Sequence, residues 1–321
     1  MESVTPSEPP DRAAGLEAVF RARRRTLWGL AYRLTGSAED ADDAVQEAFA
    51  RLVASPHAVP LADLGPWLAR VVTNLGIDAL RRRRRRAYVG PWLPSPVESA
   101  EADWLELVPG EGPDPETRYG VAESATYAFL VALEALGPRQ RAVLLLRDVL
   151  GRSARETAEL VGATEGGVRV LHLRARRTLD AYDKNRCIPT PELYERHREA
   201  LQRFLDCLLA QDARGLEALL AESARTVTDA AGEYTALATP LDGRERVARL
   251  YLVASLNRQA AGPDIELLTL NGLPAALVTL ERPVRRQAPR SVLRVELDER
   301  GGIRLVQAIL APRKLAALRP A

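Results

Sequence analysis

The sequence has few of the residues that build metal centres or covalent scaffolds. Its 321 residues include only two cysteines, Cys187 and Cys207, and three histidines. Two lone thiols match neither a disulfide framework nor a zinc-binding spacing, and the scattered histidines form no metal-binding motif. We therefore expect no metal site, no cofactor and no disulfide-stabilised fold.

Long hydrophobic runs are also missing. No stretch of about 18 apolar residues occurs, so the sequence predicts no transmembrane helix. The first fifteen residues are acidic and contain proline, without the apolar core of a secretory signal. The sequence thus predicts a cytoplasmic protein.

Charge is distributed unevenly, although the net charge is only +2. Residues 11–90 contain 14 basic and 9 acidic side chains, and residues 121–187 contain 11 and 8. The stretch between them, residues 91–120, has one basic and seven acidic side chains. Two basic blocks on a solvated link suggest two nucleic-acid-facing modules, although basic runs also occur on ordinary surfaces.

Helical periodicity marks the N-terminal region. Apolar residues recur at helical spacing over residues 16–53, interrupted at Gly36, with Ser37 as the N-cap of the second helix. A loop with proline and glycine covers residues 54–65, and a third helix is predicted over residues 67–86. That helix ends in a run of six arginines.

A second helical block follows an acidic connector. Residues 90–120 are rich in proline, glycine and acid, which predicts an ordered or partly ordered linker. Further on, Ser153 and Glu156 form a capping-box pattern that opens a short helix ending at Gly162. Thr164 is placed to cap a second, basic helix that extends to about Tyr182.

The pattern changes from Pro189 onward. Two helices are expected over residues 191–210 and 215–222. Strand-like segments bounded by turn residues follow at 225–228, 265–270, 275–280, 291–297 and 303–310. The sequence therefore predicts a separate α+β domain that begins near residue 188.

Residues 137–177 have the pattern of a helix-turn-helix motif. The second helix has an apolar face at Val168, Leu171 and Ala175, and its other face is basic. Side chains near the start of such a helix reach base edges, while later arginines hold phosphates. An ordinary basic amphipathic helix in a bundle is the alternative, which the turn spacing disfavours.

The residues GPRQRAVLLLRDVLGRSARETAELVG, followed by VRVLHLRARRTL, resemble region 4 of the sigma-70 family. They are similar to the version in extracytoplasmic-function (ECF) sigma factors, and the resemblance implies binding to the minus-thirty-five promoter element. Other bacterial regulators have a similar motif, so region 4 alone is ambiguous. The expected contact residues are Arg155, Glu165, Arg169, His172, Arg174, Arg176 and Arg177.

The N-terminal segment LWGLAYRLTGSAEDADDAVQEAFARL resembles sigma region 2.1–2.2. Its DAVQE stretch matches the family's acidic patch, which docks on the clamp helices of the largest RNA polymerase subunit. Carboxylates spaced by three and four residues share one helical face, which suits a basic protein surface better than DNA. Taken alone, a solvated helix face explains the pattern equally well. The resemblance implies polymerase contacts at Asp40, Asp43, Gln46 and Glu47.

The segment PWLARVVTNLGIDALRRRRRR resembles regions 2.3–2.4, which open the minus-ten element and hold its unpaired strand. We expect loop 54–65 to form a base pocket, and Trp28 and Trp67 to belong to the core. For residues 83–86, phosphate contacts and a solvated tail both remain open. The minus-ten contacts are expected at Asn74, Asp78, Arg81 and Arg82.

The C-terminal extension resembles a SnoaL-like, NTF2-like cone, in which helices pack into a curved sheet. A WLP motif in the linker and an APRKL motif near the C-terminus resemble motifs of the ECF subgroup with this extension. The subgroup's DGGGK loop is matched only partly, by DAAGE. The resemblance implies intramolecular regulatory contacts at Trp92, Leu93, Pro94, Asp229, Gly232, Pro312, Lys314 and Leu315.

The expected architecture is a multidomain chain with two all-α domains and an α+β cone. Sigma region 2 is assigned to residues 12–88, an acidic linker to 89–122, region 4 to 123–186 and the cone to 190–321. The expected partners are core RNA polymerase, promoter DNA and the chain's own C-terminal domain. A small ligand in the cone is left open, with Asp206, Asp229 and Tyr234 as candidate polar pocket residues.

Two other functions would use parts of the same sequence. A repressor or activator would use the helix-turn-helix without binding polymerase, which the acidic patch and the 67–86 helix disfavour. An enzyme would use the cone as its active part, but no acid–base pair with a fixed spacing is found there. We therefore expect a non-enzymatic alternative sigma factor whose own C-terminal domain modulates its activity.

Overall fold

The computed structural model describes residues 11–54, 59–60, 63–86, 88–99 and 118–318. They form two helical bodies and a C-terminal α+β domain, which confirms the predicted fold class. Among these residues, no helix is both long and apolar enough to cross a membrane.

Three long helices form the first body: α1 (Asp11–Thr35), α2 (Ala38–Ala54) and α3 (Leu64–Arg85). Gly36 adopts a left-handed conformation between the first two, and the Ser37 hydroxyl accepts a hydrogen bond from the amide of Asp40. Gly76 brings α1 and α3 together, since a Cβ there would lie 2.5 Å from Leu34 Cδ2. Trp28 and Trp67 pack against the core of this body, as expected.

Shorter helices form the second body. They are α4 (Val121–Ser124), α5 (Tyr127–Ala132), α6 (Pro138–Leu144), α7 (Ala154–Val161), α8 (Glu165–Thr178) and α9 (Asp180–Lys184). The predicted capping box at Ser153 and Glu156 is present, and the Thr164 hydroxyl accepts from the amide of Gly167. Helix α8 ends four residues before Tyr182, which belongs to the separate helix α9.

The C-terminal domain contains α10 (Pro191–Leu209), α11 (Ala213–Leu219) and α12 (Arg244–Gln259). Its six strands are β1 (Leu220–Asp229), β2 (Leu241–Asp242), β3 (Pro263–Leu270), β4 (Leu273–Leu280), β5 (Arg290–Leu297) and β6 (Ile303–Ile309). The strand order is β2-β1-β6-β5-β4-β3, with β1 parallel to β6 and the other pairs antiparallel. A short helix, α13 (Pro312–Leu315), follows the last strand.

The two faces of this sheet have different partners. Its inner face packs on α10, α11 and α12 through side chains such as Phe204 and Tyr251. Its outer face packs on Leu93 of the linker, Tyr127 of α5 and Leu315 of α13. The outer face therefore joins the C-terminal domain to the rest of the chain.

Two features differ from the sequence expectation. Helix α12 was not predicted, because its apolar residues lie on both sides: Val247 and Tyr251 are buried, whereas Val253 and Leu256 are exposed. The linker was expected to be largely solvated, yet its residues 93–97 are buried. The remainder of the linker, residues 100–117, lies outside the described part of the chain.

Candidate polymerase and promoter surfaces

The acidic stripe predicted on α2 is accessible. Asp43, Gln46 and Glu47 are exposed, and Asp40 is half-buried in the first turn of the helix. The Glu47 carboxylate accepts a hydrogen bond from Arg51 Nε at 2.7 Å, so it is partly neutralised one turn further on. The exposed carboxylate of Asp43 leaves this face open to a basic partner.

The predicted minus-ten residues lie along α3 in two different settings. Asp78 and Arg81 form an exposed pair at 2.8 Å, and Arg82 is exposed beside them. The Asn74 amide instead donates to the carbonyl of Leu160 in α7 at 3.0 Å. One expected base reader is therefore engaged by the second helical body. Of the expected base-pocket loop, residues 55–58 and 61–62 lie outside the described residues.

Part of the arginine run has a structural role that sequence reasoning missed. Arg83 donates to Glu134 at 2.5 Å and to the carbonyl of Thr35 at 2.8 Å, while Arg84 donates to the carbonyl of Leu136 at 2.5 Å. Glu134 also accepts from the buried guanidinium of Arg141. These bonds join α3 to the second body, so the arginine run is not uniformly free for DNA.

Helix α8 presents a basic face to solvent. Arg169, Arg174 and Arg177 are exposed along it, and Arg155 is exposed on α7. Glu165 lies 3.5 Å from Arg169 in an exposed pair, which is worth little in stability. These positions agree with the orientation expected for a recognition helix.

Two other predicted DNA contacts point away from that face. The fully buried carboxylate of Asp148 pairs with His172 Nε2 at 2.8 Å and with Arg176 Nη2 at 2.5 Å. Burial opposes ionisation of Asp148, but hydrogen bonds from His172 and Arg176 hold its pKa below the usual value. His172 and Arg176 therefore anchor α8 to the body, and contact of these two side chains with DNA stays a prediction.

The three motifs of the C-terminal resemblance meet around Asp229. Its buried carboxylate accepts from the Tyr88 hydroxyl at 2.6 Å, from the amide of Leu93 at 2.7 Å and from Lys314 Nζ. Lys314 also donates to the carbonyl of Leu93 and lies 4.2 Å from the ring of Trp92. A single carboxylate thus joins β1, the linker and α13.

The other predicted regulatory residues lie around this cluster. Pro94 is buried and its carbonyl accepts from the Tyr127 hydroxyl at 2.7 Å. Gly232 has a positive φ of 78°, and a Cβ there would lie 3.1 Å from Val89. Pro312 begins α13, and Leu315 packs on the outer face of the sheet.

A second junction, which the sequence did not reveal, centres on the buried Asn271 in the β3–β4 turn. Its side-chain amide donates to the Tyr32 hydroxyl at 2.8 Å and to the carbonyl of Ala125 at 3.0 Å. Its side-chain oxygen accepts from the amide of Val97 at 3.1 Å. One side chain therefore contacts the first body, the linker and the start of the second body. In the sequence, Asn271 and Gly272 predict only a turn between two strands.

The cone offers little support for catalysis. Its inner face is filled with apolar side chains, Asp206 is exposed on α10, and Asp229 is used at the junction. Tyr234 lines a surface cavity of about 460 Å³ beside Val89 and Gly232. Within the described residues, no group of three His, Cys, Asp or Glu side chains is placed to bind a metal ion.

Comparison with known proteins agrees with this geometry. Residues 19–86 match the model of sigma-70 region 2, and residues 127–179 match that of sigma-70 region 4. The chain is 34% identical over 235 residues to the ECF RNA polymerase sigma factor SigJ of Mycobacterium tuberculosis, covering 73% of this chain and 71% of the relative. The chain belongs to the ECF sigma factors.

Two further comparisons cover most of the length of this sigma factor. SigG of M. tuberculosis is 35% identical over 292 residues, covering 84% of this chain and 75% of the relative. The crystal structure of SigJ superposes with a TM-score of 0.70 at 26% identity, covering 94% of this chain and 98% of that structure. The likeness to SigJ thus includes the C-terminal domain. As a sigma factor, the protein directs RNA polymerase to promoters.

The two settings of arginine on α8 predict opposite effects of mutation. Arg174→Ala should leave stability unchanged. It should make the slope of log binding constant against log salt concentration less negative by about 0.9, because one phosphate contact is lost. Arg176→Ala should destabilise the protein by about 1–3 kcal/mol, because the buried Asp148 loses a donor. Thermal unfolding and DNA binding at several salt concentrations test both. Equal loss of stability in the two variants would contradict this assignment.

The Lys314 cluster predicts a particular pH dependence. Burial lowers the pKa of Lys314 from 10.5 to about 8, although Asp229 opposes the shift. Between these values the unfolded chain binds more protons than the folded chain, so this lysine makes stability rise with pH. The unfolding temperature of the wild type should therefore exceed that of Lys314→Met by more at pH 9.5 than at pH 7.5. A constant difference between the two proteins would argue against a buried, charged Lys314.

Proposed function

We propose that this protein is an alternative sigma factor whose C-terminal domain holds the two promoter-binding domains in a closed arrangement. In this proposal residues 12–88 bind core polymerase and the minus-ten element, and residues 123–186 bind the minus-thirty-five element. Residues 190–321 form the regulatory domain. The observation that carries the proposal is the direct contact between α3 and α7 at Asn74 and Leu160.

Promoter geometry supports the idea that this arrangement is closed. The two promoter elements are centred about 25 base pairs apart, which is about 85 Å at about 3.4 Å per base pair. Helices α3 and α7 instead contact each other through a 3.0 Å hydrogen bond. The two domains must therefore separate before one molecule can occupy both elements.

The contacts of the C-terminal domain explain how the closed arrangement is stabilised. Asn271 bonds to groups of both helical bodies, and the outer face of the sheet covers Leu93 and Tyr127. Arg313 of α13 lies 3.5 Å from Glu39, one residue before the acidic stripe begins. These contacts favour the closed state only to the extent that they are lost when the domains open.

The acidic stripe on α2 is the proposed polymerase-binding surface. The carboxylates of Asp43 and Glu47 are exposed in the closed arrangement, so the first contact with polymerase does not require opening. Binding of polymerase and promoter to the separated domains then shifts the population toward the open form.

A small ligand in the cone remains a prediction, and the structure suggests where to look for it. The cavity of about 460 Å³ is lined by Val89 and Gly90 of the linker and by Gly232 and Tyr234 of the cone. A molecule bound there would contact both sides of the closed arrangement and would therefore alter the balance between closed and open forms.

Charge reversal tests the polymerase surface. The double variant Asp43→Arg, Glu47→Arg should weaken binding to core polymerase at least about ten-fold, since like charges would then face each other. Glu266→Arg, at an exposed position on β3, is the matched control. Co-elution with core enzyme and competition titration measure the effect. An unchanged affinity in the double variant would remove α2 from the interface.

Removing the Asn271 side chain tests the closed arrangement. Asn271→Gly keeps a residue that tolerates the left-handed backbone (φ 53°) but removes the three side-chain bonds. We expect faster proteolysis of the linker and higher transcript yield from purified polymerase at equal protein concentration. Gln211→Gly is a suitable control, because Gln211 is also left-handed and its side chain bonds only within the C-terminal domain.

The outcome of that experiment separates two possibilities. Higher yield with Asn271→Gly alone supports a domain that restrains initiation. Faster proteolysis with unchanged or lower yield would contradict the restraint, because opening would then bring no gain in activity.

A further inference from the structure

Two aliphatic side chains stand on the exposed face of α8 among its arginines. Val170 is 48% exposed and Leu173 is 52% exposed, whereas the opposite face of the helix buries Val168 and Ala175. Residues three apart share a helical face, so Val170 and Leu173 form one apolar patch. None of the described residues covers this patch.

The arginines around the patch indicate what it faces. Arg174 and Arg177 lie one and two turns along from Val170, and Arg169 lies one turn before Leu173. All three arginines are exposed, as is required of side chains that reach phosphates. An apolar patch bordered by phosphate-binding cations suits the floor of a DNA groove better than an apolar protein surface.

The start of α8 is shaped for close approach to a groove. Its second and third residues are Gly166 and Gly167, and a Cβ at Gly166 would meet open space. No side chain projects from the helix at these two positions, which favours a close approach of this turn to base edges.

We propose that Val170 and Leu173 read thymine, by contacting the thymine 5-methyl groups in the major groove of the upstream promoter element. This inference rests on the proposed function, because it assigns a base preference to the same DNA-binding helix. The thymine methyl is the one apolar group that a base pair presents in the major groove, and aliphatic side chains are its usual partners. The arginines would then position the helix, and the aliphatic pair would supply discrimination.

Replacing thymine by deoxyuridine removes only the methyl group and leaves base pairing intact. Full-length protein with core polymerase would transcribe a promoter library randomised in both elements, prepared with either thymidine or deoxyuridine. For the wild type we expect a thymine preference at one or two upstream positions. Deoxyuridine should weaken it about four-fold per methyl, as the burial of one such group implies.

Substitutions on α8 complete the experiment. Val170→Ser and Leu173→Ser should lose the preference on thymidine templates and should respond no further to deoxyuridine. Both residues are exposed, so we expect neither substitution to affect folding. Val253→Ser on α12 is the matched control, with a valine that is 54% exposed, and it should retain the preference.

Each outcome decides the matter. Equal selection on thymidine and deoxyuridine templates, or full preference in both serine variants, would overturn the thymine contact. A uniform loss of transcription on all templates would instead place the patch on a polymerase surface and also overturn it. If the wild type transcribes no template at all, the proposed function fails and this inference fails with it.

Discussion

The docking of the linker and the C-terminal helix on the sheet depends on the buried carboxylate of Asp229. A carboxylate removed from water is tolerated only when donors satisfy it, and a cation must offset its charge. Here the donors are Tyr88, which precedes the linker, and Leu93 of the linker, and the cation is Lys314 beyond the last strand. Moving Tyr88 and the linker away from β1 would remove two hydrogen-bond donors from this carboxylate, and moving α13 away would remove its cation. The linker and the C-terminal helix are therefore held to the sheet as one unit.

The same constraint decides which basic side chains are free for DNA. Asp148 pairs with His172 and Arg176. Glu134 pairs with Arg83 and Arg141. Each pairing joins helices within or between the helical bodies. Counts of basic residues therefore overstate the DNA-binding charge of this chain. The cations that remain exposed, such as Arg174, are the ones whose removal we expect to change DNA affinity without changing the fold.

The sequence predicted the fold well and the internal contacts poorly. Helix ends at Gly36, Ser153 and Thr164 are set by local capping, and local capping is visible in sequence. The partner of Arg176 is Asp148, 28 residues away along the chain, and one partner of Asn271 is Tyr32, 239 residues away. No local pattern encodes such pairings, and α12 escaped prediction because its apolar residues face both the core and solvent.

One buried group opposes the contact between the sheet and α5. Arg294 on the outer face of the sheet is 2% exposed, and its Nε and Nη1 have no hydrogen-bond partner among the described residues. Its guanidinium lies 4.2 Å from the ring of Tyr127, a contact that compensates only part of the lost hydration. Opening the interface would return this charge to water. The same interface thus contains hydrogen bonds that hold it together and a charge that favours its separation. In the proposed mechanism, this opposition keeps opening within reach of polymerase and promoter binding.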